Sequence, residues 1–283
     1  MANTVLAVLT PDGPELRDAT APVLRADDLG VLRGESVFET ARVAAGKPAF
    51  LEAHVTRLGR SAERLAIALP NGWEELSALA VSAYAGSDGV LRLVCSKGPP
   101  NGTPVGFALV TEVPPETVRG REHGVRAITL TLGVAAGIRA QSPWLLGGVK
   151  ATSYAVNMAS LRHAQAEGAD DVVWLSIDGE VLEAPTSTVA WVTGGRLITP
   201  PAEEVSILPG TTLHEVLRLC DQRGVAYEQR RGTADELATA DEVLMMSSVR
   251  GIAPVTELDG RSLGVGPVTE KLRDAFERLL ASG

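Results

Sequence analysis

Apolar and polar positions alternate along Ser36-Val37-Phe38-Glu39-Thr40-Ala41-Arg42-Val43 with the two-residue period of a half-buried strand. Ala45-Gly46 reads as a turn, and residues 47–51 as the returning strand. The period then changes. Val55, Leu58, Ala62, Leu65 and Leu69 recur every three to four residues, which predicts a helix with one apolar face, stopped by Pro70-Asn71-Gly72. Residues 73–85 predict a second helix, and residues 90–95 and 105–110 predict strands. In the second half, residues 125–132 predict a strand, and residues 154–167 a helix ended by Gly168. Two hairpins follow. One joins residues 172–177 to 180–182 across Asp178-Gly179, and the other joins residues 189–192 to 196–199 across Gly194-Gly195. Residues 211–223 predict an amphipathic helix, with Leu213, Val216, Leu217 and Cys220 on one face and Gly224 beyond its end.

Hairpins outnumber strict βαβ units in this pattern. The expected fold class is therefore α+β or mixed α/β with two domains, not a doubly wound nucleotide fold. The stretch Val113-Pro114-Pro115-Glu116-Thr117-Val118-Arg119-Gly120-Arg121 holds two prolines, a glycine and several charges, a poor helix or strand. It places a linker at residues 116–122. A smaller N-terminal α/β domain (1–115) precedes it and a larger C-terminal domain (123–283) follows, sizes that suit a 283-residue chain.

Composition narrows the function classes. Apolar residues make up 45% and charged residues 22%, as in globular proteins, which excludes a mainly disordered, collagen-like or coiled-coil chain. No apolar run approaches the ~18 residues of a spanning helix. Met1-Ala2-Asn3-Thr4 carries no basic leader and Pro11-Asp12-Gly13 soon interrupts the first apolar run, so no signal peptide is expected. Two cysteines, Cys95 and Cys220, make no disulfide framework and suit a reducing cytoplasm. A net charge of −9 argues against a general nucleic-acid binder. The histidines, His54, His123, His163 and His214, show no metal-ligand spacing. Neither G-x-S-x-G nor a Walker or Rossmann glycine pattern occurs. Asp27-Asp28 reads as a carboxylate pair or, more simply, a solvated turn. Only four of the 26 basic residues are lysine (Lys47, Lys97, Lys150 and Lys271), so amine chemistry has few candidates.

Four dispersed segments carry candidate chemistry. Lys150 follows the apolar, glycine-rich Leu146-Gly147-Gly148-Val149 with no charge within five residues. Desolvation there disfavours the ammonium and leaves an amine able to hold a carbonyl as a Schiff base. Leu208-Pro209-Gly210-Thr211-Thr212 opens the amphipathic helix, where free N–H groups and hydroxyls suit a phosphate monoester. Glu183 follows the Asp-Gly hairpin, and a carboxylate there can accept a hydrogen bond from a protonated ring nitrogen. Arg57, beside its helix's apolar stripe, can reach inward to a phosphate. Read singly, each also fits an ordinary surface lysine, N-cap threonine, strand-end glutamate or snorkelling arginine.

Together these segments resemble the fold-type IV, pyridoxal-phosphate-dependent enzymes, which include branched-chain and D-amino-acid aminotransferases and 4-amino-4-deoxychorismate lyase. The resemblance runs from about Asp27 to Leu263 and carries seven marks in order. They are Arg33-Gly34-Glu35-Ser36-Val37-Phe38-Glu39-Thr40, the His54-x-x-Arg57-Leu58 helix, Lys150, the Asp178-Gly179…Glu183 hairpin, Leu208-Pro209-Gly210-Thr211-Thr212, Ala240-Asp241-Glu242-Val243, and Ile252-Ala253-Pro254-Val255 before Asp259-Gly260. The resemblance implies a two-domain fold like that of D-amino-acid aminotransferase, a homodimer, and pyridoxal 5'-phosphate as cofactor. It makes Lys150 the lysine joined to the cofactor and the carrier of the proton, and Glu183 the acid on the pyridine nitrogen. Arg57, Thr211, Thr212 and Ser248 match phosphate-binding positions. Tyr154 matches, with a one-residue deletion, a tyrosine on the cofactor's phenolic oxygen. Two departures stand out. Thr188 takes the place of the family's usual asparagine in Glu-Gly-x-x-x-Asn, and Ser96-Lys97-Gly98-Pro99-Pro100-Asn101-Gly102 replaces an Arg-Gly-rich stretch of the lyases.

The resemblance favours 4-amino-4-deoxychorismate lyase, which releases pyruvate and forms 4-aminobenzoate for folate synthesis. Phe38-Glu39-Thr40-Ala41-Arg42-Val43 is similar to the Phe-x-Thr-Ala-Arg-Val of some lyases. Ser247-Ser248-Val249-Arg250-Gly251 lies nearer their Asn-Ser-Leu-x-Gly than the Gly-Thr-Ala-Ala of branched-chain transaminases. D-amino-acid or branched-chain transamination is the alternative. A catalytically dead dimeric scaffold is the reading from another class, disfavoured by the retained lysine and glutamate. The expected partner is a small amino substrate, with Arg42 and Arg250 as candidate binders of its carboxylate; neither nucleic acid nor membrane is expected.

Overall fold

The computed structural model describes residues 4–282, so Met1, Ala2 and Asn3 of the leader reading, and Gly283, lie outside it. The chain divides into two units. The first holds residues to Pro114, Val149–Tyr154 and the last residues from Leu280; the second holds Pro115–Gly148 and Ala155–Leu279.

The first unit begins with strands β1 (Val5–Thr10) and β2 (Gly13–Arg17), a hairpin turned at Pro11-Asp12-Gly13. That triplet reads in the sequence only as a break. It is a turn, closed where Thr10 Oγ1 donates to the Gly13 carbonyl, and Gly13 (φ 115°) takes a conformation that L-residues rarely adopt. Then come α1 (Leu29–Arg33), β3 (Ser36–Ala44), β4 (Lys47–Pro48), α2 (Leu51–Arg64), α3 (Trp73–Ala83), β5 (Gly89–Ser96) and β6 (Val105–Thr111). The strands form one antiparallel sheet in the order β2-β1-β6-β5-β3-β4. Val37, Ala41 and Val43 of β3 point into a core shared with Leu58 and Ala62 of α2 and with Trp73, Leu76 and Ala80 of α3.

Two local expectations shift. The returning strand shrinks to β4, because Pro48 has no N–H to continue a ladder and Phe50 turns into the left-handed region (φ 53°) to start α2. Helix α2 ends at Arg64, before Leu69, because Ala66 (φ 50°) reverses the chain; Leu69 still packs on the core from the loop.

The second unit contains α4 (Pro115–His123), β7 (Val125–Thr131), α5 (Ile138–Gln141), α6 (Ala155–Ala166), β8 (Asp171–Leu175), β9 (Thr188–Thr193), β10 (Arg196–Thr199), α7 (Ala202–Val205), α8 (Thr211–Arg223), β11 (Tyr227–Gln229), α9 (Ala234–Ala238), β12 (Glu242–Ser247), β13 (Gly251–Leu258), β14 (Arg261–Ser262) and α10 (Pro267–Ser282). Its sheet runs β11-β10-β9-β12-β13-β7-β8, with β14 on β13. The β10–β11, β13–β7 and β7–β8 pairs are parallel and the others antiparallel, the mixed architecture expected. Its core joins Trp191 and Ile198 of one hairpin to Val243 and Met245 of β12 and Val255 of β13. The Asp178-Gly179 hairpin pairs across its turn: Leu182 N donates to the Trp174 carbonyl (2.9 Å), Trp174 N to the Glu183 carbonyl (2.8 Å) and Ser176 N to the Glu180 carbonyl (2.8 Å), while Val181 N also donates to the Gly232 carbonyl (2.8 Å).

The linker placed at 116–122 is instead helix α4. Pro115 opens it where a missing N–H costs nothing, and Glu116 in its first turn and Arg121 in its last are each favourable to the helix dipole. Lys150, assigned in the sequence to the C-terminal domain, clusters with the first unit. Beyond β4 the start of β3 has an open edge, and residues 150–152 pair with it. Phe38 N donates to the Lys150 carbonyl (3.0 Å), Thr152 N donates to the Ser36 carbonyl (2.9 Å), and Val37 bridges Ala151.

Candidate active site

The expected site residues fall into one group on each unit. In the first, the pairing with β3 fixes the backbone on both sides of the Lys150 carbonyl, and Lys150 N donates to Ser61 Oγ of α2 (3.1 Å). The half-buried side chain lies over the Phe38 ring, its Nζ 4.5 Å from the centroid, and 3.3 Å from Tyr154 Oη. Tyr154 meets Phe38 edge to face, with centroids 5.0 Å apart. The structure thus brings together Lys150 and Tyr154, two residues to which the resemblance gives roles at the cofactor. Phe38, which no single-residue pattern singles out, forms the apolar wall.

Arg57 is 6% exposed and engaged by a residue that no pattern flagged as its partner. Its Nε donates to Glu39 Oε1 (2.6 Å) and its Nη2 to Glu39 Oε2 (2.8 Å). His54 Nδ1 meets Oε2 at 2.7 Å. The signal was present in the strand. Glu39 shares parity with Val37, Ala41 and Val43, and a carboxylate on a core face needs partners. Burial pushes the Glu39 carboxyl up, but the hydrogen bonds and charges of Arg57 and His54 outweigh it and hold the group at about 2. A carboxyl lowered on folding stabilises the native state above its unfolded pKa, and that contribution fades as pH falls toward 2. Wild type is therefore expected to lose stability between pH 5 and 2 more steeply than Glu39→Gln, measured as urea midpoints across that range. Parallel slopes would show that Glu39 is not held ionised.

In the second unit, Glu183 accepts a hydrogen bond from Leu208 N (3.1 Å), and Arg139 Nη1 lies 3.9 Å from its other oxygen. This joins the acid to the Pro-Gly-Thr-Thr turn. Gly210 caps α8 in an extended conformation with no side-chain cap, so the N–H groups of Thr211 and Thr212 open the helix without a hydrogen bond from the cap residue's side chain. Thr211 Oγ1 lies 3.4 Å from Ser248 Oγ, which brings two of the expected phosphate hydroxyls together. Thr188, the departure from the family's asparagine, sets its hydroxyl against Gly210, in space that a Cβ there would need.

The two candidate carboxylate binders are occupied. Arg42 Nε pairs with Asp88 at 3.0 Å. Arg250 Nη2 donates to the buried Asp171 (2.7 Å) and to Ser187 Oγ (2.7 Å), tying the loop after Glu183 to β8. Asp27-Asp28 is no solvated pair either. Asp27 binds Arg25, while Asp28 is fully buried, caps α1 through Gly30 N and binds Ser96. The Lys97 ammonium pairs with Glu35. Burial pushes the thiols of Cys95 and Cys220 up to about 12 and about 11, which leaves neither a thiolate nucleophile at neutral pH. Among the described residues no cluster could hold a metal ion, and no helix is long and apolar enough to cross a membrane.

These geometries agree with three comparisons. Residues 36–258 match the family amino-transferase class IV. The chain is 36% identical to the bifunctional aminodeoxychorismate lyase / D-amino acid transaminase of Mycobacterium tuberculosis, over 97% of this chain and 99% of that one. It is 30% identical to the D-alanine aminotransferase of Bacillus licheniformis, over 90% and 91%. Its fold superposes on a hypothetical aminotransferase from Mycobacterium tuberculosis in a PLP-bound form, with a TM-score of 0.92, 36% identity and 99% of each chain covered. A family match over residues 36–258, with 36% identity to a relative across nearly the whole chain, shows that the protein belongs to the class IV amino-transferases, which are pyridoxal-phosphate-dependent enzymes.

Proposed function

We propose that this enzyme is a 4-amino-4-deoxychorismate lyase, releasing pyruvate and forming 4-aminobenzoate. The observation that carries the reading is the 36% identity, over nearly the whole chain, to a relative named for that lyase activity. The Phe38–Val43 strand and the Ser247–Gly251 turn, similar to short stretches of lyases, support it. The same relative's name, and the likeness to a D-alanine aminotransferase, favour D-amino-acid transamination as a second reading.

The donor set fits pyridoxal phosphate: an amine against aromatic rings, a carboxylate, and a helix terminus with free N–H groups and nearby hydroxyls. Bound there, the cofactor supplies an electron sink for charge developing at the carbon that bears the substrate amine. Lys150 would hold the cofactor's aldehyde carbon and, once released, take the proton from the substrate through Nζ. Tyr154 Oη, 3.3 Å from that nitrogen, would orient it and offer a hydroxyl to the ring's phenolic oxygen. Glu183 would keep the proton on the pyridine nitrogen. The first-turn N–H groups of α8, Thr211, Thr212, Ser248 and Arg57 would grip the phosphate.

A paired assay tests the reading. Aminodeoxychorismate should yield equimolar 4-aminobenzoate and pyruvate, while D-alanine and L-leucine are offered in parallel with 2-oxoglutarate. Transamination without any aminobenzoate would replace the lyase by the second reading.

A further inference from the structure

We propose that Glu39 is a positioning residue for the cofactor's phosphate: with His54 it locks the guanidinium plane of Arg57, so that the arginine meets the anion in one orientation. The proposal rests on the phosphate role given to Arg57 above.

The three side chains come from two elements. Glu39 sits in the middle of β3, and His54 and Arg57 lie three residues apart on the face of α2 that packs on it. Glu39 is 0% exposed and His54 1%. The guanidinium fork spans both carboxylate oxygens, and the imidazole shares Oε2. Rotation of the carboxylate breaks at least one of these contacts, and rotation of the guanidinium breaks two.

Stability alone gives little reason for this cluster. A buried ion pair is often no better than apolar side chains of the same volume, and the flanking inward positions of β3, Val37 and Ala41, are apolar. Anion attraction gives no reason either, because Glu39 cancels the charge of Arg57. Orientation is what the carboxylate contributes. A long flexible arginine is fixed before the ligand arrives, so less freedom is lost on binding.

The two possible roles predict opposite outcomes, which makes the test sharp. The full-length chain, freed of cofactor, is titrated with pyridoxal 5'-phosphate and separately with pyridoxal, and binding is read by visible absorbance and intrinsic fluorescence. Glu39→Gln keeps the shape but turns an amide donor toward existing donors, so the fork no longer closes. It is expected to weaken pyridoxal phosphate by about tenfold or more, the loss of one charge-assisted hydrogen bond, and pyridoxal by less than about twofold. Equal or tighter binding of pyridoxal phosphate would show that Glu39 only offsets charge, and would overturn the proposal. Glu39→Asp keeps the charge and withdraws it by one methylene. It too should lose the preference for the phosphorylated ligand, and retention would overturn the proposal even where Glu39→Gln fails to fold. Arg57→Ala separates the two readings. If it leaves the phosphate preference intact, the role of Arg57 itself fails. If it removes the preference while Glu39→Gln and Glu39→Asp keep it, Arg57 stands and the positioning role fails.

Discussion

Lys150→Ala is expected to remove turnover by a factor on the order of 10⁴ or more, because one amine both anchors the cofactor and moves the substrate proton. Tyr154 offers a phenol, and the Lys97 ammonium is tied to Glu35. The fold should survive, since the pairing of residues 150–152 with β3 uses only backbone atoms and the side chain is half-buried. The visible band of lysine-bound pyridoxal should vanish in the variant, while wild type acquires it on cofactor addition. A colourless wild type that takes up no cofactor would support the scaffold reading. A variant that keeps much of its turnover would remove Lys150 from the mechanism.

Glu183→Gln is expected to lower turnover on the order of 10²-fold with little change in cofactor affinity. The choice of glutamine separates two jobs. Glu183 accepts from Leu208 N at 3.1 Å, so alanine would also loosen the Pro-Gly-Thr-Thr turn, whereas the amide oxygen keeps that acceptor. What glutamine cannot do is hold a positive charge on a ring nitrogen. Near-normal turnover would refute the electronic role. A large fall in affinity, with turnover preserved at saturating cofactor, would assign Glu183 to the architecture of the turn.

The sequence made the local parts of this site legible and hid the long-range ones. Strand β3, the hairpin at Gly194-Gly195 and helix α8 follow from periodicity and punctuation, which act within a few residues. Helix α4 hides in the sequence because Pro and charge read as breakers, although their positions suit a helix start and end. The occupation of Arg250 by Asp171, 79 residues away, and of Arg42 by Asp88, 46 away, depends on which strands become neighbours, and no local spacing records that. The partner of Arg57 lay between these extremes. The parity of Glu39 announced a buried charge, but only the packing of α2 on β3 named its counter-ion.

Reduction of the cofactor-loaded wild type with borohydride, followed by peptide mass mapping, tests the central claim most directly. With four lysines in the chain the result is unambiguous. A phosphopyridoxyl group is expected on the peptide containing Lys150 and on no other. A label on Lys47, Lys97 or Lys271, or none at all, would contradict it.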